Sequence, residues 1–260
     1  PPAPPPPFPP PPPGPPPPAG GPLPGGSPPP AAFVLLALPA LAAGAGFDPV
    51  APPGGERVGD TATWRAVVVV PTSARRQPSA RATPVMRLGV RAPLGGGEQA
   101  LLVTGRSGAF ARVLLARRPN GTQAWVPLRA VHLERVQTSV AIDLSSRRLT
   151  LRRRGARPLT TPVAVGAPGT PTPTGRFAVA ERVPTTDPGG FLGPVVIALT
   201  GFSETLDEYA GGNGRVALHG TSAPELLGTA ASHGCIRVRN DLIRHIAAQV
   251  VAGTPVLIHP

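Results

Sequence analysis

One cysteine occurs in this chain, Cys235, within Ser232-His233-Gly234-Cys235, and a second imidazole, His219, stands in Ala217-Leu218-His219-Gly220-Thr221. The thiolate is the attacking form of cysteine, and with a free pKa of about 8.5 it needs a neighbouring base or cation at neutral pH. Thiol and imidazole together are enough for covalent acyl transfer, the sulfur attacking a carbonyl and the ring moving the proton. Gly220 and Gly234 leave room for a substrate beside each reactive group. The Ser232–Cys235 turn can aim successive amides at one point, as an oxyanion hole requires. The same side chains are also zinc-ligand types. A zinc site of His219, His233 and Cys235 would need a fourth partner or water, and the nearest acids are Glu225 and Asp241.

Positioning these residues falls to short strands. Arg215 to Leu218 reads as a strand that delivers His219 at its end, and the 15 residues from Gly220 to Gly234, with a turn at Pro224 to Leu227, suffice to join neighbouring strands. Upstream, Val140 to Leu144, Leu149 to Leu151, Pro162 to Gly166 and Pro194 to Leu199 carry strand patterns. After the cysteine, Leu242, Ile243, Ile246, Ala247 and Val250 recur at helical spacing, with Asn240 or Asp241 able to cap the start and Gly253 to stop it. Thr254 to His259 is a last strand. Glu181 to Glu208, with Pro188-Gly189-Gly190 and Gly193-Pro194, is expected to form a lid or cleft wall.

The stretch resembles the L,D-transpeptidase catalytic (YkuD-like) family over roughly Val136 to His259. The resemblance rests on His219-Gly220-Thr221, the twelve residues Gly220 to Ala231, then Ser232-His233-Gly234-Cys235-Ile236-Arg237-Val238-Arg239-Asn240. Thr172-Pro173-Thr174-Gly175-Arg176-Phe177 is similar to an upstream family element. The resemblance implies Cys235 as nucleophile on a peptidoglycan stem tetrapeptide and His219 as general base, with the Gly220-Thr221 carbonyl or hydroxyl orienting the ring. It implies an oxyanion hole from the amides of His233, Gly234 and Cys235, and no cofactor. His233 fits a structural member of the turn better than a second base. Arg237 and Asn240 would bind a substrate carboxylate or pin the loop to each other. An amine acceptor would give 3→3 cross-links or protein anchoring, and water would give an L,D-carboxypeptidase. A non-catalytic wall-binding protein is the third reading.

Ahead of this domain, residues 64–134 hold short apolar runs at Val67 to Val70, Ala100 to Val103, Ala111 to Leu115 and Ala124 to Leu128, parted by glycine turns. Asn120-Gly121 marks a hairpin, and Trp125 fits the core. Five or so strands here would make a small barrel, and the segment resembles bacterial SH3-like modules. The whole chain is thus expected to be mainly β: an SH3-like barrel, then a β-rich catalytic domain (136–259) with one substantial helix.

Residues 1–30 include 20 prolines and no charge, a polyproline-type tether that cannot join a core. Residues 31–46 are uncharged and apolar, too short for a span of about 20 residues, and fit a signal-peptide h-region or an anchor near the N-terminus. No positive charge precedes them, so an n-region is expected further upstream. Residues 47–63 read as a linker. An extracytoplasmic location follows. The net charge of +12 contains no lysine; its arginines are scattered with few aromatics among them, which argues against a nucleic-acid partner. A lone cysteine excludes an intrachain disulfide.

Overall fold

Strand alternation organises the N-terminal part. The computed structural model describes residues 63–208 and 212–260. The proline-rich segment 1–30, the apolar run 31–46 and the linker up to residue 62 lie outside the described residues. Seven strands come first: β1 (Thr63–Val68), β2 (Thr72–Arg75), β3 (Pro84–Leu88), β4 (Ala100–Ser107), β5 (Phe110–Leu114), β6 (Gln123–Pro127) and β7 (Val131–Val136). They pair in one antiparallel sheet ordered β3-β2-β6-β5-β4-β1-β7. A single apolar cluster takes Leu88 from β3 and Val131 from β7 along with Ala111, Val113, Ala124 and Val126 between them. Both ends of the sheet therefore serve one core.

Several local expectations are corrected. There are seven strands where about five were expected, because β2 and β3 are half-exposed and carry little apolar pattern. β1 stops at Val68, so Val69 and Val70 are each 53% exposed. Trp125 is not a core residue: Ala124 and Val126 take the inward positions of β6, which turns Trp125 to the other face under the Arg112 guanidinium.

The second sheet is mixed. Its strands are β8 (Thr138–Asp143), β9 (Arg148–Arg153), β10 (Leu159–Pro162), β12 (Gly175–Pro184), β13 (Val195–Phe202), β14 (Arg215–His219), β16 (Ile236–Arg237) and β17 (Pro255–His259). The order is β10-β9-β8-β17-β12-β13-β14-β16, with β8/β17 and β14/β16 parallel. A separate parallel pair joins β11 (Val165–Gly166) to β15 (Ala230–Ser232). The one α-helix among the described residues, α1 (Asn240–Gln249), buries Ile243, Ile246 and Ala247 against the sheet. The molecule is mainly β, as its patterning requires.

Of the 28 residues from Glu181 to Glu208, 12 are strand: Glu181–Pro184 ends β12 and Val195–Phe202 is β13. One loop spans 185–194, where Thr185 donates its hydroxyl to Gly193 O and its N–H to Pro194 O, and residues 203–208 after β13 are a second non-strand segment. The helix has no side-chain cap: Arg239 holds the N-cap position, and Asn240 Oδ1 accepts instead from the Thr221 N–H at 2.8 Å. A tertiary partner outcompetes the local one.

Contacts between the sheets are specific. Glu181 on β12 is buried, and its carboxylate accepts from Leu94 N–H (2.8 Å), Gly95 N–H (2.6 Å) and Gly97 N–H (3.3 Å). Asn120, in the β5–β6 turn, pairs its side-chain amide with the backbone of Phe202, donating to Phe202 O and accepting from Phe202 N–H, both at 2.8 Å. Leu102 and Leu114 from the first sheet bury Ala178 of β12 between them.

Candidate active site

The pairing of β14 with β16 brings thiol and imidazole together. In this parallel pair Leu218 faces Ile236 and His219 faces Arg237. Continuing the register by one residue sets Cys235 beside Ala217. Ala217 and His219 are two residues apart and so share a face of the sheet. Leu218 and Ile236 point the other way, into the core. Cys235 and His219 are thus diagonal neighbours on one surface, and the Val238 N–H bond to His219 O (2.8 Å) fixes the end of the pair.

The chemistry of His219 follows from one hydrogen bond. Its Nδ1 lies 2.7 Å from Gly220 O. A carbonyl oxygen only accepts, so Nδ1 carries the proton and Nε2 is the basic nitrogen. The Thr221 hydroxyl takes no part; it accepts from Ala223 N–H at 3.0 Å. His219 is only 2% exposed. Burial pushes its pKa down to about 4, with Arg237 adding to the fall and the Gly220 bond opposing it. The ring is neutral at pH 7.

Cys235 is partly exposed and its Sγ lies 4.0 Å from Arg215 O. Burial raises its pKa, while the Ala217 N–H and the Arg237 charge pull it back in part. The resting pair is therefore thiol and neutral imidazole, and not a preformed ion pair.

The turn before the cysteine is closed internally. Ser232 donates its hydroxyl to Cys235 O at 2.5 Å and accepts from Gly234 N–H at 3.2 Å. Gly234 has φ +109, a conformation that side chains rarely adopt. His233 is exposed at the mouth of the cavity that holds the thiol. The loop that precedes the Thr172–Phe177 element braces this turn: Ala167 N–H and the Thr170 hydroxyl both donate to Ser232 O, at 2.8 and 3.2 Å.

Arg237 and Asn240 are not bonded to one another. Arg237 is 7% exposed, its guanidinium lies 4.9 Å from the Phe191 ring, and its Nε has no partner. Asn240 instead supports the segment that orients His219. Gly193 packs there as well: a Cβ on Gly220 would stand 2.8 Å from Gly193 Cα and would strike Asn240 Oδ1. Phe191, from the same loop, lies 5.8 Å from the His219 ring. Phe191 and Thr170 were not singled out in the sequence. A phenylalanine beside Gly-Gly and a threonine in a Pro/Thr loop carry no chemical signature by themselves.

A cavity of about 230 Å³ opens at Cys235, lined also by Gly234, Ala217, Arg215, Leu206 and Leu94. Leu94 belongs to the N-terminal sheet's connecting loop. Among the described residues no three His, Cys, Asp or Glu side chains are grouped as a metal site would need. No helix among them is long and apolar enough to cross a membrane.

Comparison with known proteins bears on the second half of the chain. Residues 137–258 match the L,D-transpeptidase catalytic domain model, YkuD. The YkuD protein of Bacillus licheniformis is 36% identical over 121 residues, covering 46% of this chain and 65% of that protein. The YkuD protein of Bacillus subtilis is 33% identical over 120 residues with the same coverage. The solved catalytic domain from E. faecium L,D-transpeptidase is 24% identical, with a TM-score of 0.36 over 47% of this chain and 96% of that one. Residues 137–258 belong to the YkuD family of L,D-transpeptidase catalytic domains. The chain spans about 65% of the length of either Bacillus relative.

Proposed function

We propose that this protein is a cysteine-dependent peptidoglycan L,D-transpeptidase acting outside the cytoplasm. The observation that carries the reading is the Nδ1–Gly220 bond, which leaves His219 Nε2 as a base on the same face as the Cys235 thiol. Cys235 Sγ attacks the carbonyl carbon of the third residue of a stem tetrapeptide, and its proton passes to Nε2. The tetrahedral oxyanion is held by amides of the 233–235 turn, with Ser232 Oγ able to release Gly234 N–H as charge develops. The C–N bond to the terminal D-alanine then breaks, Nε2 returns the proton to the departing amine, and a thioester remains. A side-chain amine of a neighbouring stem attacks the thioester, loses a proton through His219, and restores the thiol, giving a 3→3 cross-link. Arg237, buried with an unpartnered Nε, is the proposed contact for a substrate carboxylate.

The test is incubation with a disaccharide-tetrapeptide followed by mass spectrometry. The expected result is an acyl adduct on the wild-type chain that has lost D-alanine and is absent from Cys235→Ala. No adduct on either form would favour the non-catalytic binder. Release of the tripeptide as free acid, with no dimer, would identify water as the acceptor.

A further inference from the structure

The cavity at Cys235 is built by both sheets. Arg118 lies in the β5–β6 connection of the N-terminal sheet, yet its guanidinium reaches three backbone carbonyls of the catalytic domain: Ser203 O (3.1 Å), Leu206 O (2.9 Å) and Asn213 O (3.0 Å). These carbonyls belong to two limbs, one leaving β13 and one entering β14. Ser203, Leu206 and Asn213 themselves line the cavity. The planar fork of arginine suits this task, because it can donate in several fixed directions at once. Arg118 also stacks at 4.8 Å on the Phe202 ring, against which Arg215 packs at 5.1 Å. Its ion pair with Asp207, 3.5 Å long to a fully exposed carboxylate, adds little. From the opposite direction, the Glu181-bound loop presents Leu94 to the same cavity.

We propose that Arg118 is a positioning residue for acyl transfer at Cys235 and that the N-terminal sheet, through Arg118 and Leu94, determines which donor peptides fit the cavity. The part concerning donor turnover rests on the function proposed above. Arg118 touches no reacting atom. Its loss would free two limbs of cavity wall while leaving Cys235 and His219 on their strands.

The full chain with Arg118→Ala is compared with wild type in two measurements. The first is alkylation of Cys235 by a bulky N-aryl maleimide relative to iodoacetamide, which needs no transpeptidase activity. That ratio is expected to rise about tenfold, the equivalent of one charge-assisted hydrogen bond. The second is turnover of the disaccharide-tetrapeptide, where KM is expected to rise by about the same factor with kcat little changed. If Arg118→Ala does not fold, Arg118→Gln, which keeps the stem and loses the fork, replaces it. An unchanged alkylation ratio in a folded variant overturns the proposal. Wild-type chain without turnover counts against the transpeptidase reading alone, and the alkylation ratio still decides the role of Arg118.

Discussion

Burial, more than charge, sets the protonation of His219 and Cys235. With a folded pKa of about 4, His219 is a competent base over the whole neutral range. Acylation measured as kcat/KM is expected to rise with pH through about 4 and then to hold until the thiol begins to ionise, above the ordinary thiol range. An acid limb at the ordinary imidazole value of 6.5 would show instead that the ring is solvated in the working enzyme. The same shift bears on stability. The folded pKa lies below the unfolded one, so the neutral ring's contribution is complete above pH 6.5 and is lost as pH falls toward 4. The loss amounts to about 3 kcal/mol. Chemical denaturation across that window should show it, and His219→Gln should flatten it.

At the scale of the element, the 185–194 loop and the Gly220-Thr221 segment form one packed unit behind the base. Gly193→Ala would place a Cβ 2.5 Å from Gly220 Cα at a position whose φ is +63. A cost of about 1–3 kcal/mol is expected, with kcat falling more than the thiol's accessibility, because the displacement reaches the carbonyl that holds Nδ1. Stopped-flow acylation beside urea melts would separate the two effects. Asn240→Ala removes the acceptor for the Thr221 N–H and should cost about 1–2 kcal/mol in the same melts.

Much of this unit was legible as types and spacing. Ser232 to Cys235 is contiguous, and His219 precedes it by one strand connection, so the thiol and the imidazole that the fold brings to one face could be picked out directly. Asn240 was legible as a helix cap, a loop pin or a substrate contact, but not as the acceptor for Thr221 N–H; Thr221 is brought to it by the β14–β16 pairing, which propensity does not encode. β2 and β3 escaped for a related reason. Thr72-Ser73-Ala74-Arg75 acquires strand structure from its neighbours in the sheet and not from its own apolar pattern.

For the whole molecule, the decisive contacts join residues more than 80 positions apart. Glu181 and Arg118 bind backbone groups, and backbone is the same at every position, so no residue pairing in the sequence announces them. Glu181→Ala would leave three inward-facing amides of the Leu94–Gly97 loop without an acceptor. About 2–3 kcal/mol of stability should be lost. Hydrogen exchange should rise at Leu94, Gly95 and Gly97, while the β8–β9 hairpin keeps its protection.

A thiol held protonated also has a chemical lifetime. Oxidants such as peroxide attack the thiolate, and sulfenic acid once formed proceeds to states that no ordinary reductant reverses. Burial raises the pKa of Cys235 and keeps its thiolate fraction low at rest. In the extracytoplasmic setting proposed above, without a reducing pool, a sole cysteine guarded in this way would outlast the more acidic thiols of ion-pair cysteine enzymes. The burial that holds the thiol protonated is then also its protection against air.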